Sequence, residues 1–123
     1  MQFEETPNVK VVWFLKTLLE IDLYYFTSNK SLISRTIKII ARTDNLTHGT
    51  FILNRFLTID LNLILEIVEF APIEKFVYRE ISLTQDTQVA IEFLGNLLSG
   101  TDEQTEAVLT RISEPHKFLS ECL

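Results

Sequence analysis

Two histidines and one cysteine are the residues best suited to metal binding or nucleophilic catalysis: His48, His116 and Cys122. Neither histidine is followed three or four residues later by a second ligand at a spacing that suits zinc. Cys122 follows His116 by six residues, which places the two side chains on different sides of a helix and argues against a Cys–His dyad. No glycine-rich phosphate loop is present. We therefore expect no enzyme activity, no metal and no cofactor.

A different group of polar residues suits the recognition of a peptide. Gln88, Glu92, Asn96 and Ser99 recur every three or four residues, so they share one face of a predicted helix. Asn96 can donate to a carbonyl and accept from an amide, which suits a peptide backbone whatever its side chains. Glu92 suits a Lys or Arg of the same peptide. Asn96 could instead bond a neighbouring helix, in which case it would stabilise the fold.

The opposite face of this helix is apolar, and both of its ends carry helix-boundary residues. Asp86 is the predicted N-cap, and Gly100 is predicted to end the helix in the left-handed conformation. Thr101 and Gln104 then form a predicted capping box for the next helix. The apolar face consists of Val89, Ala90, Phe93, Leu94, Leu97 and Leu98.

The composition indicates one domain without a sheet. The chain has 123 residues, of which 46% are hydrophobic, with three glycines and three prolines. No apolar run approaches the roughly 20 residues of a membrane span, and the acidic N-terminus does not resemble a signal peptide. A single cysteine suits a reducing compartment. We expect a protein of the cytoplasm or the nucleus that is not inserted in a membrane.

The charge is unevenly distributed. The formal net charge is −6; residues 1–56 contribute +2 and residues 57–123 contribute −8. An acidic half argues against nucleic acid as the partner. It is compatible with a basic peptide as ligand.

The apolar spacing is helical throughout, and it predicts no strand. One segment, residues 43–49, is predicted to be a loop. The predicted helices cover residues 7–21, 23–27, 30–42, 50–58, 61–70, 72–83, 86–99, 101–112 and 115–123, the first of them capped by Thr6 with Pro7 as its first residue.

An internal repeat supports this assignment. Two apolar pairs separated by two residues occur at 14–19, 52–57 and 93–98, which are offset by 38 and 41 residues. A capping residue, Asp22, Asp60 or Thr101, follows each pattern three residues later. The predicted units of this single domain are 7–21 (partial), 22–59, 60–100 and 101–123 (partial). Leu15, Leu53 and Leu94 should occupy equivalent buried positions in them.

The string FLGNLLSGTDEQTEAVL, residues 93–109, resembles an armadillo repeat and is most similar to those of the importin-α family of nuclear-transport adaptors. The resemblance implies an all-α, right-handed superhelix (an α-solenoid) of about three armadillo-like repeats. It also implies a function: protein–protein binding of an extended, basic peptide of the nuclear-localisation type, in a groove lined by the third helix of each repeat.

In that family, Trp and Asn residues four positions apart line the groove, where Trp rings flank Lys and Arg stems. The corresponding pairs in this chain are Trp13 with Thr17, Phe51 with Arg55, and Glu92 with Asn96. The aromatic residue is thus kept twice and the Asn once, while Arg55 places a cation where a basic peptide should lie. Trp13 could alternatively be a core or interface aromatic. Gln88 and Ser99 complete the predicted peptide site.

Two alternatives follow from departures from the family. Residues 28–36 also resemble the entry into a third helix, a register in which residues 30–42 would face the ligand. Residues 1–7 are acidic, whereas importin-α carries a basic importin-β-binding segment. The alternative function is a degenerate armadillo or HEAT scaffold that binds another protein or self-associates. Such self-association would use the C-terminal end, where we expect Phe118, Leu119 and Leu123 to be uncovered.

Overall fold

The computed structural model describes residues 9–67 and 69–123, and within these ranges every regular element is an α-helix. The all-α prediction is therefore confirmed for the described residues. The predicted start of the first helix at Thr6 and Pro7 lies outside them. The helices are α1 (Val9–Ile21), α2 (Leu23–Thr27), α3 (Lys30–Ile40), α4 (Leu46–Ile59), α5 (Leu61–Ile67), α6 (Phe70–Thr84), α7 (Gln88–Leu97), α8 (Asp102–Arg111) and α9 (Pro115–Cys122).

Helices that are three places apart in the chain pack side by side. One row consists of α1, α4 and α7, in which α4 contacts the other two. A second row consists of α3, α6 and α9, and α5 packs against α8. Helix α3 belongs to the row of α6, and it also contacts α1 and α4. The alternative register, in which residues 30–42 would face the ligand, stays a prediction.

The core is one cluster of aromatic and aliphatic side chains between the rows. The rings of Phe26 and Phe56 lie 5.6 Å apart between centroids, and those of Phe76 and Phe93 lie 5.8 Å apart. Leu15, Leu53 and Leu94 are all buried, as predicted. Each of these three leucines belongs to a helix of the α1–α4–α7 row.

The corner between α7 and α8 differs in part from the prediction. The capping box is confirmed: Thr101 Oγ1 accepts from the Gln104 backbone N–H at 3.2 Å, and Gln104 Oε1 accepts from the Thr101 N–H at 2.9 Å. The left-handed conformation predicted for Gly100 is wrong, because its φ is not positive. A Cβ atom at this position would instead overlap Gln104 Oε1. A larger residue here would therefore have to displace the capping side chain of Gln104.

The start of α7 lies one residue later than predicted. Thr87 is the N-cap residue, but it makes no capping bond, and the Asp86 carboxylate accepts from the Gln88 N–H at 2.9 Å. The helix ends at Leu97, so Ser99 lies beyond it. Asp86 thus satisfies a first-turn amide from a position just before the helix.

The predicted loop at residues 43–49 is wrong in its second half. Helix α4 begins at Leu46, since the Asn45 side chain caps it by accepting from the His48 N–H at 3.2 Å. Gly49 is buried within the helix, and a Cβ atom there would lie 2.9 Å from Cε2 of Phe76. This glycine allows α4 to approach the Phe76 ring of α6 closely.

Two further boundaries are corrected near Phe70. The predicted helix 61–70 ends at Ile67, and Phe70 is the first residue of α6. Pro72 lies in the first turn of α6, where proline is tolerated because the first N–H groups of a helix have no partner within it.

The C-terminal helix is better covered than predicted. Phe118 is only 1% exposed, because its ring packs edge-on against Tyr78 of α6 with 5.7 Å between centroids. The expectation that Phe118 is uncovered is therefore wrong. Leu119 is half-buried, while Leu123 is 76% exposed.

Candidate functional site

The outward side of α4 carries two of the predicted site residues, Phe51 and Arg55, both exposed. The helical period produces this side because Ile52 and Leu53, which follow Phe51, point into the core. The buried residues of α4 are Gly49, Ile52, Leu53, Phe56 and Leu57. Helix α7 is divided in the same way: it exposes Gln88 and Glu92 and buries Ala90, Phe93, Leu94 and Leu97.

A groove of about 500 Å³ lies between the outward sides of α4 and α7. It brings together three residues predicted from the sequence to bind peptide: Phe51, Arg55 and Glu92. We name it the α4–α7 groove, and its lining residues are Thr47, Thr50, Phe51, Asn54, Arg55, Thr58 and Glu92.

A cation of the chain itself occupies one face of the aromatic residue in this groove. Lys16 Nζ of α1 lies 5.2 Å from the centroid of the Phe51 ring. Lys16 is also paired with Glu20 at 2.8 Å, so its charge is partly neutralised. The ring face that would receive a Lys or Arg of a ligand therefore already makes a cation–π contact.

Asn96 bonds a neighbouring helix, as one of the two sequence-based interpretations expected. Its Nδ2 donates to Oδ1 of Asn54 on α4 at 2.7 Å, and both side chains are half-buried. Among the described residues, Asn54 Nδ2 and Asn96 Oδ1 have no further partner. The amide pair thus joins α4 to α7 and leaves one donor group and one acceptor group available.

Arg55 and Glu92 are the two charged residues of the groove. Both are exposed, and neither side chain makes an ion pair or a hydrogen bond within the described part of the chain. The groove therefore offers one positive and one negative group to a ligand.

Trp13 and Thr17 lie on α1, which packs against α4. Trp13 is 53% exposed, so the interpretation of this residue as a core aromatic is wrong. It lies three residues before Lys16 and therefore on the same side of α1. The Thr17 hydroxyl donates to the Trp13 carbonyl at 2.9 Å, which leaves only its oxygen as an acceptor for a ligand.

Gln88 and Ser99, also predicted to bind peptide, lie outside the lining of the α4–α7 groove. Gln88 is exposed at the first position of α7. Ser99 follows the helix, and its hydroxyl donates to the Asn96 carbonyl at 2.9 Å. These two residues therefore flank the groove at opposite ends of α7.

Sequence reasoning missed several residues of this site. Asn54 and Thr58 lie three and seven residues after Phe51, and Thr47 lies four before it, a spacing that indicates a shared helix face. Their periodicity was therefore a usable signal. The contact of Lys16 with Phe51 had no such signal, because it depends on how α1 packs against α4.

A buried carboxylate lies behind the groove. Glu80 of α6 accepts from Thr50 Oγ1 at 2.9 Å, and Thr50 also lines the groove. Burial raises the pKa of Glu80, while the hydrogen bond from Thr50 lowers it by less and the charge of Asp86 adds a smaller increase. The adjacent Arg79 pairs with Asp44 instead. Glu80 therefore links α4 to α6 without an opposite charge beside it.

The three residues first considered for catalysis lie apart from the groove lining. His48 Nδ1 lies 2.6 Å from the Nδ2 atom of the capping residue Asn45. Cys122 is buried, and this burial raises the pKa of its thiol, which disfavours the reactive thiolate.

Comparisons of this chain with protein-family models, with curated proteins and with solved structures find no match. Within residues 9–67 and 69–123, no group of three or more His, Cys, Asp or Glu side chains could hold a metal ion. No helix in these ranges is long and apolar enough to cross a membrane.

Proposed function

We propose that this chain is an armadillo-like α-solenoid that binds an extended peptide segment of a partner protein in the α4–α7 groove. The observation that carries the proposal is that Phe51, Arg55 and Glu92, on two different helices, line one groove. Aromatic, cationic and anionic side chains along a groove can select the side chains of an extended peptide. The proposed role is binding, not catalysis.

The packing of helices supports the solenoid part of this proposal. Each contact between helices three places apart joins one proposed unit to the next, and armadillo units are about 40 residues long. In this assignment, α2–α4 form the unit 22–59 and α5–α7 form the unit 60–100. Helix α1 belongs to the partial unit 7–21, and α8 and α9 belong to the partial unit 101–123. The right-handed superhelix is the part of the proposal that rests on the resemblance to armadillo repeats.

The Asn54–Asn96 pair supports recognition of a peptide backbone. A peptide unit has one N–H donor and one C=O acceptor, and the pair leaves one group of each complementary kind. If both side-chain amides were turned over, so that Asn54 donated to Asn96, the pair would still leave one N–H donor and one oxygen acceptor available. Binding of this sort does not depend on the ligand's side chains.

The charges of the groove favour a peptide of mixed charge. Glu92 would pair with a Lys or Arg of the ligand, as expected for a basic peptide of the nuclear-localisation type. Arg55 and the Lys16 over Phe51 would repel a second and third basic residue. A ligand with one basic and one acidic residue therefore fits better than a uniformly basic one. The importin-α-like adaptor role is supported by the resemblance of residues 93–109 and by Glu92.

Binding to a peptide array tests this proposal. The array should contain extended peptides that are basic, acidic, neutral or of mixed charge, and we expect the mixed-charge peptides to bind best. Glu92→Gln should weaken their binding by about 1.5- to 5-fold, as for other exposed ion pairs, and added salt should weaken it further. Arg111→Gln on α8 is the control. Equal binding by Glu92→Gln, Arg55→Gln and the unchanged protein would contradict the proposal.

A second variant separates binding from folding. Asn96→Ala removes an inter-helix bond, so it should lower the melting temperature and also weaken every peptide ligand, more than Glu92→Gln does. Affinity should be measured at a temperature at which the variant is folded. Lost stability with unchanged affinity would mean that Asn96 joins the two helices and does not contact a ligand.

A self-associating scaffold is the second candidate. The observation that favours it is a set of exposed large hydrophobic side chains on α1 and α2: Val11, Phe14, Ile21, Tyr24 and Tyr25. Leu123, at the C-terminal end, is also exposed. Sedimentation at micromolar concentration should then show a dimer that Phe14→Ser weakens. A monomer at all concentrations would leave peptide binding as the proposed function.

A further inference from the structure

A second groove lies between α3 and α6, and it shares no lining residue with the α4–α7 groove. Its volume is about 430 Å³. Its cationic lining residues are Lys38, Arg42 and Lys75, and its apolar ones are Ala41, Ala71 and Pro72. Glu69 is the acidic residue of the lining. We name it the α3–α6 groove.

The three cations of this groove are available to a ligand. Within the described residues, Lys38, Arg42 and Lys75 make no ion pair with a carboxylate. The Arg42 Nε–H donates to the Lys38 carbonyl at 3.4 Å, which orients the guanidinium and leaves its terminal N–H groups free. Glu69 is the only acidic residue of the lining, so the local charge is opposite in sign to that of the whole chain.

The surface continues from the α3–α6 groove across α6 towards α9. A neighbouring depression of about 340 Å³ shares Ala71 and Lys75 with the α3–α6 groove and reaches Tyr78 and Ser113. Its one carboxylate, Glu74, accepts two hydrogen bonds from Ser113, at 3.1 Å from the hydroxyl and 3.4 Å from the N–H.

Lys117 of α9 lies at the far end of this surface, where its ammonium is 4.0 Å from a carboxylate oxygen of Glu114. Its ammonium lies 5.7 Å from the centroid of the Tyr78 ring. The two depressions thus form a track whose unpaired described cations, Lys38, Arg42 and Lys75, lie at its α3–α6 end, together with apolar side chains.

We propose that this track binds an acidic peptide segment of a partner protein. Carboxylates of Asp and Glu would pair with Lys38, Arg42 and Lys75, and the ligand's backbone and methylene groups would lie on Ala71 and Pro72. Nucleic acid fits less well, because the described lining of the α3–α6 groove has no aromatic residue on which a base could stack, and the Tyr78 ring further along already packs against Phe118 and lies beneath the Lys117 ammonium. The net charge of −6 would also repel a long polyanion, whereas a short acidic segment meets only the local cations.

The test measures binding of a labelled hexaglutamate peptide by fluorescence anisotropy, with hexaglutamine as the neutral probe. Lys38→Gln and Lys75→Gln should each weaken hexaglutamate binding by about 1.5- to 5-fold, the range for exposed ion pairs. Lys30→Gln is the matched control, because Lys30 is an exposed lysine of α3 that does not line the groove. It should change the affinity by less than either groove variant.

A variant that lacks the acidic residue of the groove should bind the acidic peptide more tightly. Glu69→Gln should strengthen hexaglutamate binding by a similar factor, a result that loss of folding could not produce. Three results would overturn the proposal: equal effects of Lys30→Gln and Lys75→Gln, equal binding of hexaglutamine, or stronger binding of a single-stranded oligonucleotide than of hexaglutamate. Competition by inorganic phosphate at concentrations similar to those of the peptide would instead identify a simple anion site and would also overturn it.

Discussion

Glu80 is buried, and in this it differs from the exposed carboxylates of the chain. Its side chain is 4% exposed, and its described hydrogen-bond donor is a hydroxyl, not a cation. A neutral carboxyl can occupy such a position at a lower free-energy cost than a carboxylate. The hydroxyl of Thr50 favours the charged form, but the effect of burial is larger, and the pKa of Glu80 is raised.

This shift predicts a pH-dependent effect of Glu80→Gln. Between the ordinary Glu pKa of about 4.3 in the unfolded chain and the higher pKa in the folded one, the folded chain binds more protons. Ionisation of Glu80 therefore reduces stability as the pH rises through this window. Gln can still accept from Thr50, so Glu80→Gln should be more stable than the unchanged protein at pH 7, and this advantage should shrink at pH 4.

Urea denaturation at the two pH values measures this difference. Glu106→Gln, a change of the same charge at an exposed position of α8, controls for the overall charge. The interpretation of Glu80 would be wrong if its substitution lowered stability at pH 7, or if both variants had the same pH dependence.

The aliphatic core allows a second prediction at the residue scale. Leu94 of α7 is 9% exposed and belongs to the central cluster, so Leu94→Ala should lower the free energy of unfolding by about 2–5 kcal/mol through lost burial and a residual cavity. Leu83→Ala is the control, because Leu83 is 59% exposed and its truncation should change stability by about 0.5 kcal/mol or less. Chemical denaturation measures both. Equal effects of the two substitutions would contradict the packing of α7.

Helix boundaries show how far local sequence signals extend. Asp22 and Thr101 cap their helices as predicted, because a capping bond involves only residues two or three positions apart. The start of α4 was missed because Gly49 indicates a turn in sequence, while in the fold it lies against the Phe76 ring of α6. A contact with a residue 27 positions further along the chain has no local signal.

The residues of the candidate site, like the helix boundaries, could be predicted only where the signal lies within one helix. The resemblance to importin-α repeats indicated Phe51 and Arg55 as site residues, and both line the groove. It could not reveal that Lys16 covers the Phe51 ring or that Asn54 is the partner of Asn96. Both contacts depend on the relative positions of neighbouring helices, which arise from packing between distant residues.

The two glycines near the end of α7 should respond in opposite ways to alanine. Gly95 is exposed within the helix, and a Cβ atom there meets nothing within 4 Å, so Gly95→Ala should stabilise the protein by about 0.5–1 kcal/mol. Gly100→Ala should destabilise it, because the new Cβ atom displaces the Gln104 side chain from the capping box. Loss of a cap costs about 0.5–2 kcal/mol.

Thermal denaturation of both glycine variants, together with Thr101→Ala, measures these effects. Thr101→Ala removes the cap directly, and Gly100→Ala should lower the melting temperature in the same direction. A stabilising Gly100→Ala would mean that Gln104 can leave the cap without loss.

At the scale of the whole molecule, the helices differ in how many neighbours cover them. Helix α4 packs against α1 and α7 in its own row and against α3 and α5 beside it. Helix α9 contacts α6 and α7. An array in which units contact mainly their neighbours should be most stable at its centre and should open first at an end.

Native-state hydrogen exchange of two core variants tests this gradient. Leu53→Ala removes a fully buried side chain from α4, and Phe118→Ala removes the ring that packs on Tyr78 from α9. Each should lower stability by a few kcal/mol. Leu53→Ala should speed exchange in all described helices, because α4 contacts α1 on one side and α7 on the other. Phe118→Ala should speed exchange in α8 and α9 while α1 and α4 keep their protection. If Phe118→Ala speeds exchange equally in every helix, the molecule unfolds as one closed core, and the assignment to an open array of repeats is wrong.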